Sequence, residues 1–386
     1  MRDKKSRSQT DPSPSLSRRP PSGRTGFGNE INAIDQRTAN TLPDTDGESI
    51  EDSPFAHSPF SLAIIIVNWN VRDLLAACLR SVEADLAASQ LSGQIWVVDN
   101  ASIDDPAAML RRDFPQVQLI ASDQNLGFAG GNNAALRAIG FDPFPSPPET
   151  GGGRLPEAVL LLNPDTVVHP GALPALSNFL KNNPQAGIAG ARLVYGDGAF
   201  QHGAFAFPGL WQLAIELLPL LSRLAESRLN GRYPRAAYES GRPFRIGHPL
   251  GAAMCVRREA IQQVGLLDER YHMYVEEIDW SKRIVSAGWA AYCVPAARIT
   301  HLGGQSTGQI QMNSFINLWR SRYRFYRQYY NPFKVWLAAQ IVRLGMRRQA
   351  TLDSQAAARG ELSQAELTQR LSGYEQVIKI WQAKSE

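Results

Sequence analysis

A chain of 386 residues with 44% hydrophobic side chains, 20% charged ones and a net charge of +4 has the composition of one large globular domain or two smaller ones. No run of 18 mostly apolar residues occurs, and the uncharged stretch Gly198 to Ile215 is broken by Gln201, His202, Pro208 and Gln212, so no membrane-spanning helix is expected. The basic N-terminus has no apolar segment behind it, which argues against a secretory signal, and Cys78, Cys255 and Cys293 lack CxxC spacing, which fits a reducing cytoplasm better than a disulfide framework or structural zinc.

Residues 1–58 are rich in Ser, Pro, Arg and Asp and poor in apolar side chains, so they are expected to be a disordered tail. Leu62 to Val67 is a continuous β-branched run, the pattern of a strand buried on both faces of a parallel sheet. An amphipathic helix follows over Val71 to Leu86, with Leu74, Leu75, Cys78, Leu79 and Val82 on one stripe. The chain then alternates: strand 94–98, helix 105–112, strand 117–120, a helix opening in Gly127 to Gly131, strand 158–162 and helix 171–180. This alternation predicts a doubly wound α/β sheet, interrupted by a Pro/Gly loop over 141–156. Beyond Ala186, strands are expected over 187–194, 246–256 and 290–294, an apolar segment over Trp211 to Leu224, and helices through the last 75 residues.

Ligands of open α/β sheets lie beyond the carboxyl ends of the strands. There the chain places Asn68-Trp69-Asn70, Asp99-Asn100-Ala101-Ser102, Asn125 to Asn133, and Asn163-Pro164-Asp165. Helix capping or a turn accounts for any one of these; four in register on one edge point to a site. No GxGxxG or GxxxxGK[ST] occurs, so a nicotinamide enzyme or P-loop ATPase lacks its phosphate loop. Gly127, Gly130 and Gly131 serve either close ligand approach at a helix start or tight helix–strand packing. Downstream, Glu276 and Asp279 are spaced to share a helix face with Glu277 directed elsewhere, and His301 falls in a loop before a Gly-Gly turn.

The ordered set VNWN, VVDNAS, NLGFAGGNN, LLNPD, GAAMCVRREA, VGLLDERYHMYVEEIDW, AGW and HLGGQS resembles bacterial family 2 glycosyltransferases of the GT-A fold, nearest the rhamnosyltransferase-like branch. The resemblance implies a Rossmann-like, doubly wound mixed sheet over 59–306 with a helical extension over 307–386. It further implies a nucleotide-diphosphate sugar donor and a divalent metal, Mn2+ or Mg2+, that neutralises the leaving diphosphate. On this likeness Asp165 is the surviving carboxylate of the metal motif, with Asn163 in the other acid's place, and His301 is the second ligand. Asp99 would bind the pyrimidine base and Asn68 would line the nucleotide pocket with Asn125 and Gly127. Gly251 would lie beneath donor and acceptor, and Glu277 would be the base of an inverting displacement, in a position where Asp is common. Asp279 is expected to be structural.

Phe315 to Ala350 holds eight basic residues and no acid; setting these eight aside turns the net +4 into −4. Arg interleaved with Trp, Tyr and Phe there suits a helix in an anionic membrane interface, packing on the domain, or, least well, nucleic acid. The expected enzyme is therefore cytoplasmic and peripheral on the inner face of the membrane. It would move rhamnose, from dTDP-rhamnose ahead of a uridine-nucleotide sugar, to a hydroxyl of a glycan or lipid-linked saccharide, with no nucleic-acid partner. A sugar-phosphate nucleotidyltransferase would need a Gly-rich basic loop where Asn68-Trp69-Asn70 stands. A non-catalytic nucleotide-sugar-binding scaffold is the other alternative.

Overall fold

The computed structural model describes residues 60–89, 91–142, 155–218, 224–271, 273–303 and 311–382. The expected tail, most of the Pro/Gly loop and Gly304 to Ser306 lie outside these residues. In chain order the elements are β1 (Ser61–Asn68), α1 (Arg72–Ser89), β2 (Ser92–Asn100), α2 (Pro106–Asp113), β3 (Gln118–Ser122), α3 (Gly127–Ile139), β4 (Ala158–Leu162), β5 (Thr166–Val168) and α4 (Ala172–Asn182). There follow β6 (Ala186–Val194), β7 (Phe200–Gln201), β8 (Ala204–Phe205), α5 (Leu210–Leu217), α6 (Arg235–Glu239), β9 (Phe244–Ile246), β10 (His248–Pro249), β11 (Ala253–Arg257) and α7 (Arg258–Val264). The chain closes with α8 (Glu276–Ser286), β12 (Ala290–His301), α9 (Gln311–Tyr329), α10 (Pro332–Ala358) and α11 (Gln364–Gln382).

The main sheet runs β3-β2-β1-β4-β11-β6-β12-β5, with β7 beside β6 and β9 beside β12. β1 to β4 pair in parallel, β11 runs antiparallel between β4 and β6, and β5 is antiparallel to β12. The sheet is thus doubly wound and mixed, and its strand order reverses beside β1. β1 explains the layering: Leu62, Ile64 and Ile66 face α1, α2 and α4, while Ala63 and Ile65 face α3, α7 and α8. Each fully buried Ile contributes about 1.5–3 kcal/mol of transfer free energy.

Three expected elements differ. The single strand over 246–256 divides into β9, β10 and β11: the Gly247 N–H donates to the Phe205 carbonyl at 3.0 Å, where a Cβ would lie only 2.8 Å from that oxygen, and Pro249 has no N–H to continue a ladder. β12 runs seven residues past its expected end, through a register shift between Val294 and Arg298, so His301 is the last residue of a strand rather than a loop residue. α5 ends at Leu217, before Pro219.

The C-terminal helices pack onto the domain. Trp319, Phe325 and Tyr326 are buried with Leu213 of α5 and with Tyr271 and Val275 from the chain before α8. The α9 arginines lie against rings: Arg322 sits 4.8 Å from Trp319, Arg324 5.8 Å from Tyr271 and Arg327 5.8 Å from Tyr323. The aromatic–Arg pattern expected to face lipid is, in α9, a packing pattern.

Gly131 separates the two readings of the Gly-rich helix start. A Cβ there would lie 2.7 Å from Val67 Cγ1, so this glycine lets α3 close on β1. Gly131→Ala would gain up to ~1 kcal/mol of helix propensity, but Val67 is stiff at χ1 and cannot retreat, so overpacking of about 1–3 kcal/mol wins. A lower urea midpoint with unchanged slope is the expected result.

Candidate active site

Where the strand order reverses, a cleft of ≈ 230 Å³ opens at the carboxyl ends of β1 and β4. Asn125 and Gly127 line it from the start of α3, Asn163 and Asp165 from the turn after β4, Gly251 from the turn before β11, and Glu277 from α8. Six of the nine site residues expected from the sequence therefore meet in one cleft. Gly127 adopts φ 73°, and its N–H donates to Asn125 Oδ1 at 2.9 Å, which fixes the loop as it enters α3. Gly251 lies against Glu277, with a built Cβ 3.4 Å from Glu277 Cγ, so any side chain there would take space beside that carboxyl.

His301 joins through strand register. It pairs with Thr166, the neighbour of Asp165, and His301 Nε2 lies 3.5 Å from Asp165 Oδ1 and 3.5 Å from Asn163 Nδ2. His301 Nδ1 faces Gln201 Oε1 at 3.3 Å; an amide oxygen accepts only, so Nδ1 carries the proton and the Nε2 lone pair points at Asp165. Burial lowers the His301 pKa, and the Asp165 charge offsets this in part, so the ring is neutral at neutral pH.

Asn68 and Asp99 do not line the cleft. Asn68 is fully buried and its Nδ2 donates to Ser102 Oγ at 3.2 Å, while the Ser102 N–H donates to Asp99 Oδ1 at 3.3 Å. With Asp99 it builds the turn beneath the edge, as Asn and Asp do when they bond nearby backbone, and Asn68 Oδ1 is left without a hydrogen-bond partner. Asn100, absent from the expected site, does reach the cleft, and its Nδ2 donates to the Gly127 carbonyl at 3.1 Å.

The acids also fall differently from the helix-face expectation. Glu276 and Glu277 both line the cleft, whereas Asp279 turns away to α9. The cause is the entry into α8: Tyr274 and Val275 take φ 70° and 72°, an αL pair without glycine that costs about 1–3 kcal/mol per residue. This turn aims both carboxyls of the first helical turn into the cleft. Burial raises the Glu277 pKa to about 7 against the pull of backbone N–H groups. Burial and then the Glu277 charge push Glu276 well above the usual carboxylate range, and its Oε2 has no hydrogen-bond partner. Asp279 is fully buried and satisfied by Arg283 Nε (2.9 Å), Gln328 Nε2 (3.1 Å) and Tyr329 Oη (2.7 Å).

The model of the family described as "Glycosyl transferase family 2" matches residues 63–264, over half of the chain. This chain belongs to that family. The glycosyltransferase is 28% identical over 273 residues to the N-acetylglucosaminyl-diphospho-decaprenol L-rhamnosyltransferase of Mycobacterium tuberculosis, covering 68% of this chain and 83% of that one. It is 26% identical over 224 residues to a low-salt glycan biosynthesis hexosyltransferase of Haloferax volcanii, covering 58% and 61%. Among solved structures, a mannosyltransferase of Pyrobaculum calidifontis in complex with GDP-Man and Mn2+ aligns with TM-score 0.47 and 15% identity, over 84% of this chain and 86% of that one. The family match ends at residue 264, so Glu276, Glu277 and His301 come from the part of the glycosyltransferase beyond it.

Among the described residues no three His, Cys, Asp or Glu side chains gather as a ready-made metal cage. Asp165 Oδ1 and the free Nε2 of His301 are nevertheless spaced like neighbouring donors on one cation at about 2.1 Å from each. The two donors therefore fit a metal with no third His, Cys, Asp or Glu ligand among the described residues. Gln201 was not foreseen from sequence, because its role depends on β7 pairing with β6, whose other neighbour β12 carries His301.

Proposed function

We propose that this family 2 glycosyltransferase moves a sugar, rhamnose from dTDP-rhamnose in the first instance, from a pyrimidine nucleoside-diphosphate donor to a hydroxyl of a lipid-linked saccharide, with inversion. One observation supports this: a single cleft holds a protonatable carboxyl, Glu277, together with Asp165, whose carboxylate lies 3.5 Å from His301 Nε2. The Mycobacterium tuberculosis relative, a rhamnosyltransferase of N-acetylglucosaminyl-diphospho-decaprenol, supports the choice of donor and acceptor class.

In this mechanism Asp165 and His301 would hold Mn2+ or Mg2+, which when bound would supply positive charge to neutralise the leaving nucleoside diphosphate. Gly251 leaves room for the sugar ring. Glu277, as carboxylate, accepts the proton of the acceptor hydroxyl while the new bond forms from that oxygen to the anomeric carbon and the bond to the diphosphate oxygen breaks. The decisive experiment is a transfer assay with dTDP-rhamnose and UDP-sugars on an N-acetylglucosaminyl-diphospho-prenol acceptor, with the anomeric configuration of the product read by NMR. An inverted rhamnoside supports the proposal; absence of transfer from every pyrimidine nucleotide sugar by folded enzyme overturns it.

A lipid-linked acceptor brings the enzyme to a bilayer, and no helix among the described residues is long and apolar enough to cross one. The outer face of α10 suits peripheral contact. Phe333 and Trp336 are 70% and 56% exposed and stack on each other at 5.9 Å, and Leu344, Arg343 and Arg347 follow along the same helix. Phe333→Ala with Trp336→Ala should cut sedimentation with phosphatidylglycerol vesicles severalfold while leaving transfer to a short-chain soluble acceptor intact. Undiminished sedimentation would remove α10 from the contact.

A further inference from the structure

The segment carrying Glu276 and Glu277 is held from outside the family-matched region by several contacts from one helix. Ser321 Oγ donates to the Met273 carbonyl at 3.0 Å, just before the left-handed pair. Val275, the second residue of that pair, buries its side chain among Tyr271, Trp319 and Phe325 in the core formed with the C-terminal helices. One turn into α8, Tyr329 Oη and Gln328 Nε2 both donate to Asp279 Oδ1, and Tyr271 Oη reaches Gln328 Oε1 at 3.4 Å. Ser321, Gln328 and Tyr329 all belong to α9, so a single helix grips the strained turn before and after the two acids.

We infer that α9 is a positioning element of the reaction site, with Ser321 and Tyr329 holding residues 273–279 in the left-handed turn that aims Glu276 and Glu277 into the cleft. An αL valine persists only where its surroundings over-determine it. Without those two hydroxyls the turn can relax towards ordinary helical or extended backbone, and the carboxyls swing with it. The residues assigned to the donor, Asn125, Asn163, Asp165 and His301, lie in the turn before α3, in the turn after β4 and at the end of β12, and the α9 hydrogen bonds just described go to other residues. The extension thereby serves the acceptor half of the site. This inference rests on the proposed role of Glu277.

The test uses the full chain with Ser321→Ala, Tyr329→Phe and the pair combined. A fourth variant, Tyr374→Phe, removes the buried bond from Tyr374 Oη to Asp353 between α11 and α10 and leaves α8 alone. A carboxyl displaced by about 1 Å costs on the order of 100-fold in rate, so kcat should fall about tenfold in each single variant and about 100-fold in the pair. The dissociation constant for dTDP should stay at the wild-type value, and amide exchange over residues 273–280 should accelerate. Tyr374→Phe should lower the melting temperature and leave kcat at the wild-type level. An unchanged kcat in the paired variant overturns the inference, and so does an equal loss of kcat in Tyr374→Phe, which would mean general loosening. Full activity of Glu277→Gln, by contrast, would remove the base assignment, and the exchange over 273–280 would still report whether α9 holds the turn.

Discussion

Replacing Glu277 with Gln is expected to lower transfer about 1,000-fold, within the range that a positioned general base supplies, while dTDP binding stays intact. Gln keeps the shape and the hydrogen bonds at the start of α8 but cannot take a proton. Glu276 is only 4% exposed, and burial with the Glu277 charge beside it holds its pKa well above the usual carboxylate range. The pH dependence follows from the direction of the shift. Burial raises the Glu277 pKa to about 7, and the ionised form is the one that works, so kcat should rise with pH through neutrality and level off above it. Stability runs the other way. A carboxyl whose folded-state pKa is raised contributes stability that is fully present below its unfolded pKa and lost as pH rises through the folded value. The protein should melt at a lower temperature at pH 8 than at pH 6, and Glu277→Gln should narrow that difference. A pH-independent kcat, or a Gln variant with wild-type turnover, would sink the assignment.

Much of this arrangement was legible in the chain because its cause is local. Leu62 to Val67 and Ala158 to Leu162 are apolar runs that only a strand buried on both faces can use, and the polar residues after them had to emerge at one sheet edge. What escaped depends on contacts distant in sequence. Nothing local in Tyr274-Val275 announces an αL pair, since Val is among the residues least suited to it; the contact beside the turn comes from α9, some 50 residues later. Helical spacing alone pairs Glu276 with Asp279 and does not say which side of α8 faces the cleft. The same holds for Asn68 and Asp99, whose residue types suit a ligand and a turn equally; the turn itself depends on Ser102 folding back between them. For α9, composition alone could not tell a lipid-facing helix from one whose arginines stack on its own aromatics, because both need the same residues.

The second large effect belongs to Asp165. Among the described residues it is the one carboxylate paired with His301 Nε2, and the Asn163 amide stands beside it. A two-donor site has no reserve, so loss of either donor should remove the cation rather than weaken it by degrees. Asp165→Asn and His301→Ala should each weaken Mn2+-dependent dTDP binding by about 100-fold, the upper end of what even an outer-shell change costs a metal site, and abolish detectable transfer. Gln201→Leu is the finer probe. It leaves both donors in place and removes only the acceptor that keeps the proton on His301 Nδ1, so the ring can turn its lone pair away, and a loss of about 10-fold is expected. Calorimetry of dTDP with and without Mn2+ on the three variants reads all of this directly. Binding that is equally tight without the cation, or that survives Asp165→Asn unchanged, would show that the Asp165–His301 pair is a buried ion pair of the β5–β12 ladder, with no part in holding the donor.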